Sequence, residues 1–408
     1  MPRVNRFFMN ALSSREPLIA KTKNFHIGIP HPNLPVVQSV VELLQTLVQI
    51  PSVNPEGDPG VSPGGEEEVA ELVSGFLQQL GFDTFFEEVE PGRPNLIARA
   101  PGPANRPRIL LGPHLDTVGV AGMTIDPFSG SVSDGKVHGR GTSDTKGPMA
   151  AMLWGLRENA HRLAGLPVAV DFVGFMGEES SQPGSRHFAK NHASAYDFAI
   201  AGEPTSLKAV YCTKGCLWAT LKTIGKATHA SQPHLGENAI LSLLQELQNL
   251  QGGLLKQLRD SQHPVLGQST MNVGMIAGGT RANIVPAHAT ATIDIRTVPA
   301  LVEAEPAREI LKRHLKQAEL GHTAESPPMA MAENHPWLIK LQTIHPNLKL
   351  TGAPWFSDAA HLSAAGLPSI CLGPGSIDQA HTADEFIKIS DLENGAVWFT
   401  KMIARLSS

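Results

Sequence analysis

The spacing of apolar residues divides most of the chain into predicted helices and strands. Apolar positions three or four residues apart predict amphipathic helices at 36–48, 66–80, 240–250 and 306–320. The second of these has acids in its first turn and Gly81 just past its end, as helix termini favour. A last helix is predicted to begin at S-D-L-E, where Ser390 and Glu393 have the spacing of a capping box.

Short apolar runs between these helices predict β-strands. The predicted strands lie at 84–88, 95–99, 108–111, 170–176, 209–213, 216–224, 271–276 and 289–297. Helices alternate with strands in the first half, which indicates an α/β fold with a mixed sheet covered by helices on both faces. After Glu203 the order is strand, helix, strand, strand, helix, strand, which indicates a smaller α+β (ferredoxin-like) domain. We predict a catalytic domain of 36–212 and 325–408, interrupted by an inserted lid or dimerisation domain at 213–324.

The segment 1–35 differs in composition from the rest of the chain. It contains several lysines and arginines but a single acid, Glu16. This composition loosely matches a transit peptide. We favour the alternative of a ragged, partly disordered N-terminal extension.

Composition limits the possible functions of the chain. Its 408 residues are enough for two domains, and 41% hydrophobic with 17% charged residues is ordinary for a soluble enzyme. The net charge of −5 argues against nucleic acid or an anionic membrane surface as a partner. Cys212, Cys216 and Cys371 form no disulfide framework, which favours a cytoplasmic location.

Two short motifs between residues 110 and 146 carry candidate metal chemistry. L-L-G-P-H-L-D-T-V follows a predicted strand and contains His114 and Asp116, which face the same way in extended chain. A carboxylate beside an imidazole suits a metal ligand and the partner that orients its ring, although a surface pair in a loop has the same pattern. The second motif, G-R-G-T-S-D-T-K-G, places Asp144 in a glycine-rich turn before an apolar helix.

Further candidate ligands follow predicted strands or lie in a late loop. G-E-E-S contains Glu178 and Glu179, A-G-E-P-T contains Glu203, and A-H-T-A-D-E-F contains His381. Each alone is typical of an ordinary surface residue. Together, histidines and carboxylates indicate a mixed metal site that favours zinc, with cobalt or manganese as alternatives. Because there are too many ligands for one catalytic zinc with an open position, we predict two divalent ions that share a carboxylate.

From about residue 36 to the C-terminus, these motifs in this order resemble the M20 metallopeptidase/deacylase family. The most similar branch contains the acetylornithine deacetylases and succinyl-diaminopimelate desuccinylases. Within it, G-E-P-T-S-L-K and L-G-P-G-S-I-D-Q-A-H are closest to the acetylornithine deacetylases. The segment P-W-F-S-D-A-A fits that branch only loosely, so the acyl group stays open.

The resemblance implies a role for each residue of the motifs. Two ions would each be bound by a histidine and a glutamate, with an aspartate bridging them: His114 with Glu203, His381 with Glu179, and Asp144 between. Glu178 would be the general base, and Asp116 would orient His114. The family also implies a cis peptide bond between Asp144 and Thr145.

Three residues of the predicted insert are further candidates, and two of them, His229 and Asn283, match family positions. His229 would hydrogen-bond the developing oxyanion, often in the active site of a dimer partner, and Asn283 would contact substrate. Arg296 would hold the substrate α-carboxylate, because a guanidinium grips a carboxylate with two parallel hydrogen bonds. The alternatives are a surface loop histidine, a turn-forming asparagine and a salt bridge between Arg296 and Asp294.

The resemblance predicts a homodimeric hydrolase of linear amide bonds that removes the acyl group from a small N-acyl amino acid. An acetylornithine deacetylase-like reaction in arginine biosynthesis is the first expectation. The alternatives are a succinyl-diaminopimelate desuccinylase and a dipeptidase or carboxypeptidase of the same family. A non-catalytic binding protein of this fold should lack Glu178 or a ligand, and the sequence retains all of them.

Overall fold

The computed structural model describes residues 37–56 and 65–406, together with the backbone of 25–27. The α-helices are α1 Val40–Val48, α2 Gly65–Gln79, α3 Lys146–Glu158, α4 Pro183–His192, α5 Ala239–Gly252, α6 Leu254–Asp260, α7 Pro299–Val302, α8 Ala307–His314, α9 Pro336–Ile344, α10 Asp358–Ala364 and α11 Ile389–Ala404. Among the described residues, each helix is too short or too polar to cross a bilayer. Apart from β1, the predicted N-terminal extension lies outside this part of the chain.

The β-strands occur in both halves of the chain. They are β1 Phe25–Ile27, β2 Asp83–Glu90, β3 Arg93–Arg99, β4 Arg108–Pro113, β5 Val132–Ser133, β6 Lys136–His138, β7 Ala169–Gly174, β8 Phe198–Gly202, β9 Ala209–Thr213, β10 Gly215–Ile224, β11 Gln262–His263, β12 Gly267–Gln268, β13 Thr270–Gly278, β14 His288–Thr297, β15 Glu319–Ser326, β16 Met329–Ala330, β17 Leu350–Ala353, β18 Ser369–Cys371 and β19 Phe386–Lys388.

The chain folds into two compact units. The first contains the described residues up to Val210, then Met331–Leu350 and the described residues from His361 onward. The second contains Tyr211–Ala330 and Thr351–Ala360. The second unit therefore includes residues 211–212, 325–330 and 351–360, which the sequence pattern assigned to the catalytic domain.

A large mixed sheet in the first unit has the strand order β1-β2-β3-β7-β4-β8-β18. Strand β4 lies between β7 and β8 and is parallel to both. Leu110 of β4 shares an apolar core with Phe188 of α4 and Leu362 of α10. Its neighbours Ile109 and Leu111 are also buried and point to the opposite face, since successive strand residues alternate. Helix α3 contacts β4 and β8 and packs against α1 and α11. The fold is therefore the predicted mixed α/β architecture with helical cover.

The second unit is built on an antiparallel sheet of order β13-β14-β10-β15. Every second residue of β14 is buried, including Ala291, Ile293 and Ile295. These residues form one core with Leu243 of α5 and Leu311 of α8. A sheet with one covered face and helices between its strands matches the predicted strand, helix, strand, strand, helix, strand order.

The predicted helix at 306–320 is too long. Helix α8 ends at His314, and β15 begins at Glu319. The buried carboxylate of Glu246 accepts backbone N–H groups from Lys316, Gln317 and Ala318 at 3.0, 2.5 and 3.1 Å. Those N–H groups are unavailable for a helix because a residue far earlier in the chain binds them.

The predicted capping box at Ser390 and Glu393 is wrong. Helix α11 begins at Ile389, and its N-cap residue Lys388 makes no side-chain capping bond. Lys388 is also the last residue of β19, and the N–H of Ile389 donates to the backbone oxygen of Gly135 at 2.9 Å. The helix therefore starts directly from a paired strand, which satisfies its first donor without a cap.

Candidate metal centre

The carboxyl ends of three parallel strands meet at one edge of the large sheet. His114 follows β4, the Glu178–Glu179 pair comes shortly after β7, and Glu203 follows β8. His114 pairs with Phe175, the residue directly after β7. The sheet thus brings these strand-end residues to one edge, as the sequence predicts.

Asp144 lies between two imidazoles. Its Oδ1 atom is 3.1 Å from His114 Nε2, and its Oδ2 atom is 3.4 Å from His381 Nε2. His381 Nε2 is also 3.1 Å from Glu179 Oε2. Potential ligand atoms of His114, Asp144 and Glu179 all lie within 4.8 Å of one another, a grouping that could hold a metal ion. His114, Glu179 and His381, from three separate stretches of the first unit, therefore surround the Asp144 carboxylate.

Glu203 lies beside this group on the next strand. Glu203 is buried, with 6% of its surface exposed. It directly follows Gly202, which pairs with Pro113 at the end of β4. His114 directly follows Pro113, so His114 and Glu203 occupy equivalent positions on adjacent parallel strands. Its assignment as a ligand stays a prediction, supported by this placement.

Opposite charges shift the pKa values of the centre. Hydrogen bonds with Asp144 and Glu179 raise the pKa of His381 to about 10. Burial lowers the pKa of His114, but hydrogen bonds to Asp116 and Asp144 outweigh it and raise that pKa well above its ordinary value. Burial, then the nearby charge of Asp144, raises the pKa of Glu179 to about 7. The pocket therefore favours positive charge between its carboxylates, which protons or divalent cations can supply.

The donor set fits divalent cations. Two imidazole nitrogens and several carboxylate oxygens are ligands that zinc and similar ions prefer. The Oε1 atom of Glu179 is buried, and among the described residues it has no hydrogen-bond partner. A buried carboxylate oxygen without a donor is costly, and a bound cation would remove that cost.

Asp116 holds the turn that carries the two glutamates. Its fully buried carboxylate accepts the backbone N–H groups of Glu178 and Glu179, each at 3.0 Å, and the side-chain amide of Asn54 at 2.8 Å. His114 Nδ1 lies 2.9 Å from the backbone oxygen of Asp116 and 3.4 Å from its carboxylate. Asp116 therefore contacts His114 mainly through its backbone, while its side chain positions the glutamates.

Glu178 and Glu179 point to different partners. The Oε1 atom of Glu178 accepts a hydrogen bond from Gln182 Nε2 at 2.7 Å, whereas Glu179 faces His381. Gln182 is fully buried and has a left-handed backbone with φ +55°. Adjacent carboxylates with separate partners can have separate roles, one as a ligand and one as a base.

The loop that carries Asp144 is anchored by Glu385. This buried carboxylate binds Arg140 Nη1 at 2.7 Å and accepts the backbone N–H groups of Gly141, Ser143 and Asp144 at 3.2, 2.8 and 3.1 Å. An anion that receives several convergent N–H groups fixes the conformation of a loop. Glu385 therefore positions the carboxylate between the two imidazoles.

Glycine and a cis peptide shape the same loop. The bond between Asp144 and Thr145 is cis, as the family resemblance implies. A Cβ atom at Gly147 would lie 2.3 Å from the backbone oxygen of Thr142, so only glycine fits. Gly141 has φ +85°, a conformation that side chains disfavour. The close approach that Gly147 permits is therefore to the backbone of the same loop.

Sequence reasoning missed the residues that support the centre. No sequence pattern indicated a role for Asn54, and Glu385 was noted only as part of the motif that contains His381. Glu66 was recognised only as one of the acids at the start of a predicted helix. In the structure its carboxylate accepts the N–H of Gly177 at 2.9 Å and pairs with Arg93 at 2.5 Å. An acid at the start of an apolar helix was only a weak indication that Glu66 has a supporting role. The sequence around Asn54 and Glu385 contained no indication of their contacts.

The predicted insert residues all lie in the second unit. His229 is exposed, and its Nδ1 atom is 2.7 Å from Ser231 Oγ. The N–H of the next residue, Ala230, donates to the backbone oxygen of Asn283 at 3.1 Å. The His229 and Asn283 loops are therefore neighbours. Arg296 forms a two-bond ion pair with Asp294, at 2.8 and 2.9 Å, which is the predicted alternative to a substrate contact.

Comparisons with known proteins place these motifs in a family. Residues 110–405 match the model of peptidase family M20/M25/M40. An acetylornithine deacetylase from Vibrio vulnificus (strain CMCP6) is 31% identical over 86% of this chain and 93% of its own length. A protein named as a probable carboxypeptidase from Aspergillus oryzae (strain ATCC 42149 / RIB 40) is 32% identical over 88% of each chain.

A solved structure has the same fold. The M20 family metallo-carboxypeptidase from Sulfolobus solfataricus superposes with a TM-score of 0.74 and covers 91% of this chain and all of its own. Its sequence is 19% identical to this chain, so this likeness concerns the fold.

Proposed function

Because the chain belongs to peptidase family M20/M25/M40, whose members hydrolyse amide bonds, we propose that it removes the acyl group from a small N-acyl amino acid. The proposed reaction is acetylornithine deacetylase-like and would serve arginine biosynthesis. The observation that carries it is the Asp144 carboxylate between His114 and His381, with Glu178 on the adjoining turn. The Vibrio vulnificus relative supports the choice of acyl substrate.

We propose two divalent ions, with zinc first and cobalt or manganese as alternatives. His114 and Glu203 would hold one, His381 and Glu179 the other, and Asp144 would be shared by both. The orientation of Asp144 supports this division, since each of its oxygens already faces a different histidine. When bound, such ions polarise a carbonyl and lower the pKa of water.

The proposed mechanism uses Glu178 as the general base. Its carboxylate would take a proton from the attacking water and later give it to the leaving amine. The hydrogen bond from Gln182 and the backbone bond to Asp116 fix its position. Asp116 also fixes Glu179, so one buried side chain sets the spacing of base and ligand.

From the second unit, we propose that His229 hydrogen-bonds the developing oxyanion and that Asn283 and Arg296 contact the substrate. For Arg296 this requires the pair with Asp294 to open or to be shared with the substrate carboxylate. Loss of one oxyanion donor costs about 3–4 kcal/mol of barrier. His229→Ala should therefore lower kcat about 100- to 1,000-fold, and an unchanged kcat would remove His229 from the mechanism.

A homodimer formed through the second unit is also proposed. Strand β13 is an edge strand whose residues are mostly exposed, including Met275 and Ile276 at 69% and 54%. Long apolar edge strands are prone to pair with another chain. Sedimentation equilibrium should give a mass of two chains, and a single-chain mass at assay concentration would contradict the dimer.

We propose a cytoplasmic location. The three cysteines Cys212, Cys216 and Cys371 are buried thiols without a disulfide, which suits a reducing compartment. Fractionation of the native cells tests this directly, and recovery in the extracellular fraction would contradict it.

A substrate panel tests the proposed reaction. The metal-loaded enzyme should release acetate from acetylornithine or acetylcitrulline faster than succinate from succinyl-diaminopimelate. Dipeptides and peptides with a free C-terminus test the carboxypeptidase alternative, which the Aspergillus oryzae relative supports at 32% identity. Preference for peptides over acetyl amino acids would overturn the deacylase proposal, and hydrolysis of neither class would overturn both.

A further inference from the structure

A second cleft in the first unit shares no residue with the metal centre. Its volume is about 390 Å³, which is within the range of small-molecule sites. The lining comes from the turn after Glu203, the segment that joins α9 to β17, and one face of α11. The lining residues are Ser206, Leu207, Lys208, His345, Pro346, Asn347, Leu348, Lys349, Trp398 and Lys401.

The charge of this cleft is one-sided. Lys208, Lys349 and Lys401 line it, and none of its lining residues is acidic, although the whole chain has more acids than bases. Among the described residues, none of the three lysines forms an ion pair or side-chain hydrogen bond. Three unpaired ammonium groups around one cleft create a positive potential that attracts anions.

His345 lines the same cleft and lies near its positive charges. Its ring stacks on Trp398 with centroids 4.2 Å apart and planes at 12°. Among the described residues, its Nε2 atom is buried without a hydrogen-bond partner. Burial, then the positive charges of Lys401 and Arg405, lowers the pKa of His345 to about 4. An anion in the cleft would offset those charges and favour the protonated ring, whose Nε2–H could then donate to the anion.

The walls of the cleft are held in place by the backbone. Ser206 N donates to Gly375 O at 2.8 Å, and Leu207 N donates to Gly373 O at 2.9 Å. Ser206 Oγ also donates to Gly375 O, at 3.1 Å. On the other wall, Leu348 N donates to His345 O at 2.9 Å. Lys208 and Lys349 therefore project from segments with hydrogen-bonded backbones, and Lys401 projects from helix α11, which reduces the entropic cost of binding.

We propose that this cleft binds a small phosphate-bearing molecule. Lysines act as separate point charges, which suits the three oxygens of a phosphate group. A phosphate group carries about −1.5 to −2 charges at neutral pH, whereas a carboxylate carries one, so a cleft lined by three ammonium groups and no acid favours phosphate. The cleft is large enough for a phosphate group together with a small organic body. Such a site is separate from the amide chemistry of the metal centre.

Calorimetric titration with inorganic pyrophosphate tests this site in the metal-loaded enzyme. The cleft variant carries Lys208→Gln, Lys349→Gln and Lys401→Gln. A matched control carries Lys190→Gln, Lys222→Gln and Lys256→Gln, three exposed lysines that do not line the cleft. Both variants lose the same charge, so general attraction for anions falls equally in the two.

The expected result is saturable binding in the wild type and the control, with Kd values within twofold. Binding to the cleft variant should be at least tenfold weaker. Unchanged binding in the cleft variant would place pyrophosphate elsewhere, for example on the metal ions, and would overturn the proposal. Equal weakening in both variants, or no saturable binding in the wild type, would also overturn it. An unchanged kcat in the cleft variant shows that it is folded.

Discussion

At the scale of single residues, the surroundings of each carboxylate define its proposed role. Asp144 and Glu179 face imidazoles and can share a cation with them. Glu178 is adjacent to Glu179 in sequence but binds the amide of Gln182 instead. Glu179 is therefore the proposed ligand, and Glu178 on the same turn is the proposed base.

Glu178→Gln tests this division of roles. The variant keeps the shape of the side chain and should keep both metal ions, but it cannot accept a proton. We expect kcat to fall at least about 100-fold, since general-base catalysis contributes about 10²–10⁴. Turnover is measured beside metal content, with the exposed Glu158→Gln as the control. Full activity with full metal content would refute the assignment of the base.

The residues of the centre were predictable from sequence to different degrees. His114, Asp144 and Glu179 lie in short motifs, and the structure groups them. Asn54 and Glu385 act through contacts with residues far away in the chain, Asp116 and the 140–144 loop. No local pattern records such contacts, so only the fold could reveal them.

At the scale of elements, the loop between β6 and α3 depends on a segment near the other end of the chain. Glu385 lies directly before β19, and β19 pairs with β6. The same pairing therefore places both the carboxylate and the loop whose N–H groups it accepts. Sheet pairing and the buried ion pair with Arg140 support one another.

Glu385→Ala should destabilise the fold. Removing one partner of a buried ion pair leaves the charge of Arg140 uncompensated and costs about 3–5 kcal/mol. The free energy of unfolding in urea measures this loss. Glu393→Ala, an exposed acid on the following helix, should change it by no more than about 0.5 kcal/mol. A similar small change for Glu385→Ala would show that the anchor contributes little.

Element types were predicted better than element ends. The strand at 209–213 was predicted with its observed limits because its apolar run is bounded by polar residues. The predicted helix at 306–320 was too long because its end depends on Glu246 of α5. The Glu246 carboxylate accepts the backbone N–H groups of Lys316, Gln317 and Ala318. The start of α11 was wrong because a paired strand leads into it. In both cases a tertiary contact overrode the local signal.

At the scale of the whole molecule, buried histidines outside the metal centre determine part of the response to acid. Burial, then the charge of Arg186, lowers the pKa of His361 to about 4. The unfolded chain takes up this proton near the ordinary value of 6.5, whereas the folded chain resists until about pH 4. Protonation therefore favours the unfolded state, and stability from this residue falls as the pH drops from 6.5 towards 4.

His361→Gln should reduce the acid sensitivity of folding. From the size of the shift, the wild type should lose about 2 kcal/mol more than the variant between pH 7 and pH 5. Urea unfolding of both proteins at the two pH values measures the difference. His234→Gln, at an exposed loop histidine, should behave as the wild type does. Parallel losses in the His361→Gln variant and the wild type would show that His361 is not responsible.

Elemental analysis of the purified protein tests the central claim most directly. If Asp144 contacts two cations held by His114, Glu179, Glu203 and His381, the wild type should contain two divalent ions per chain. Asp144→Asn weakens the contact with both ions and should contain fewer than one. At most one ion in the wild type, or the same metal content in both proteins, would contradict the dinuclear centre.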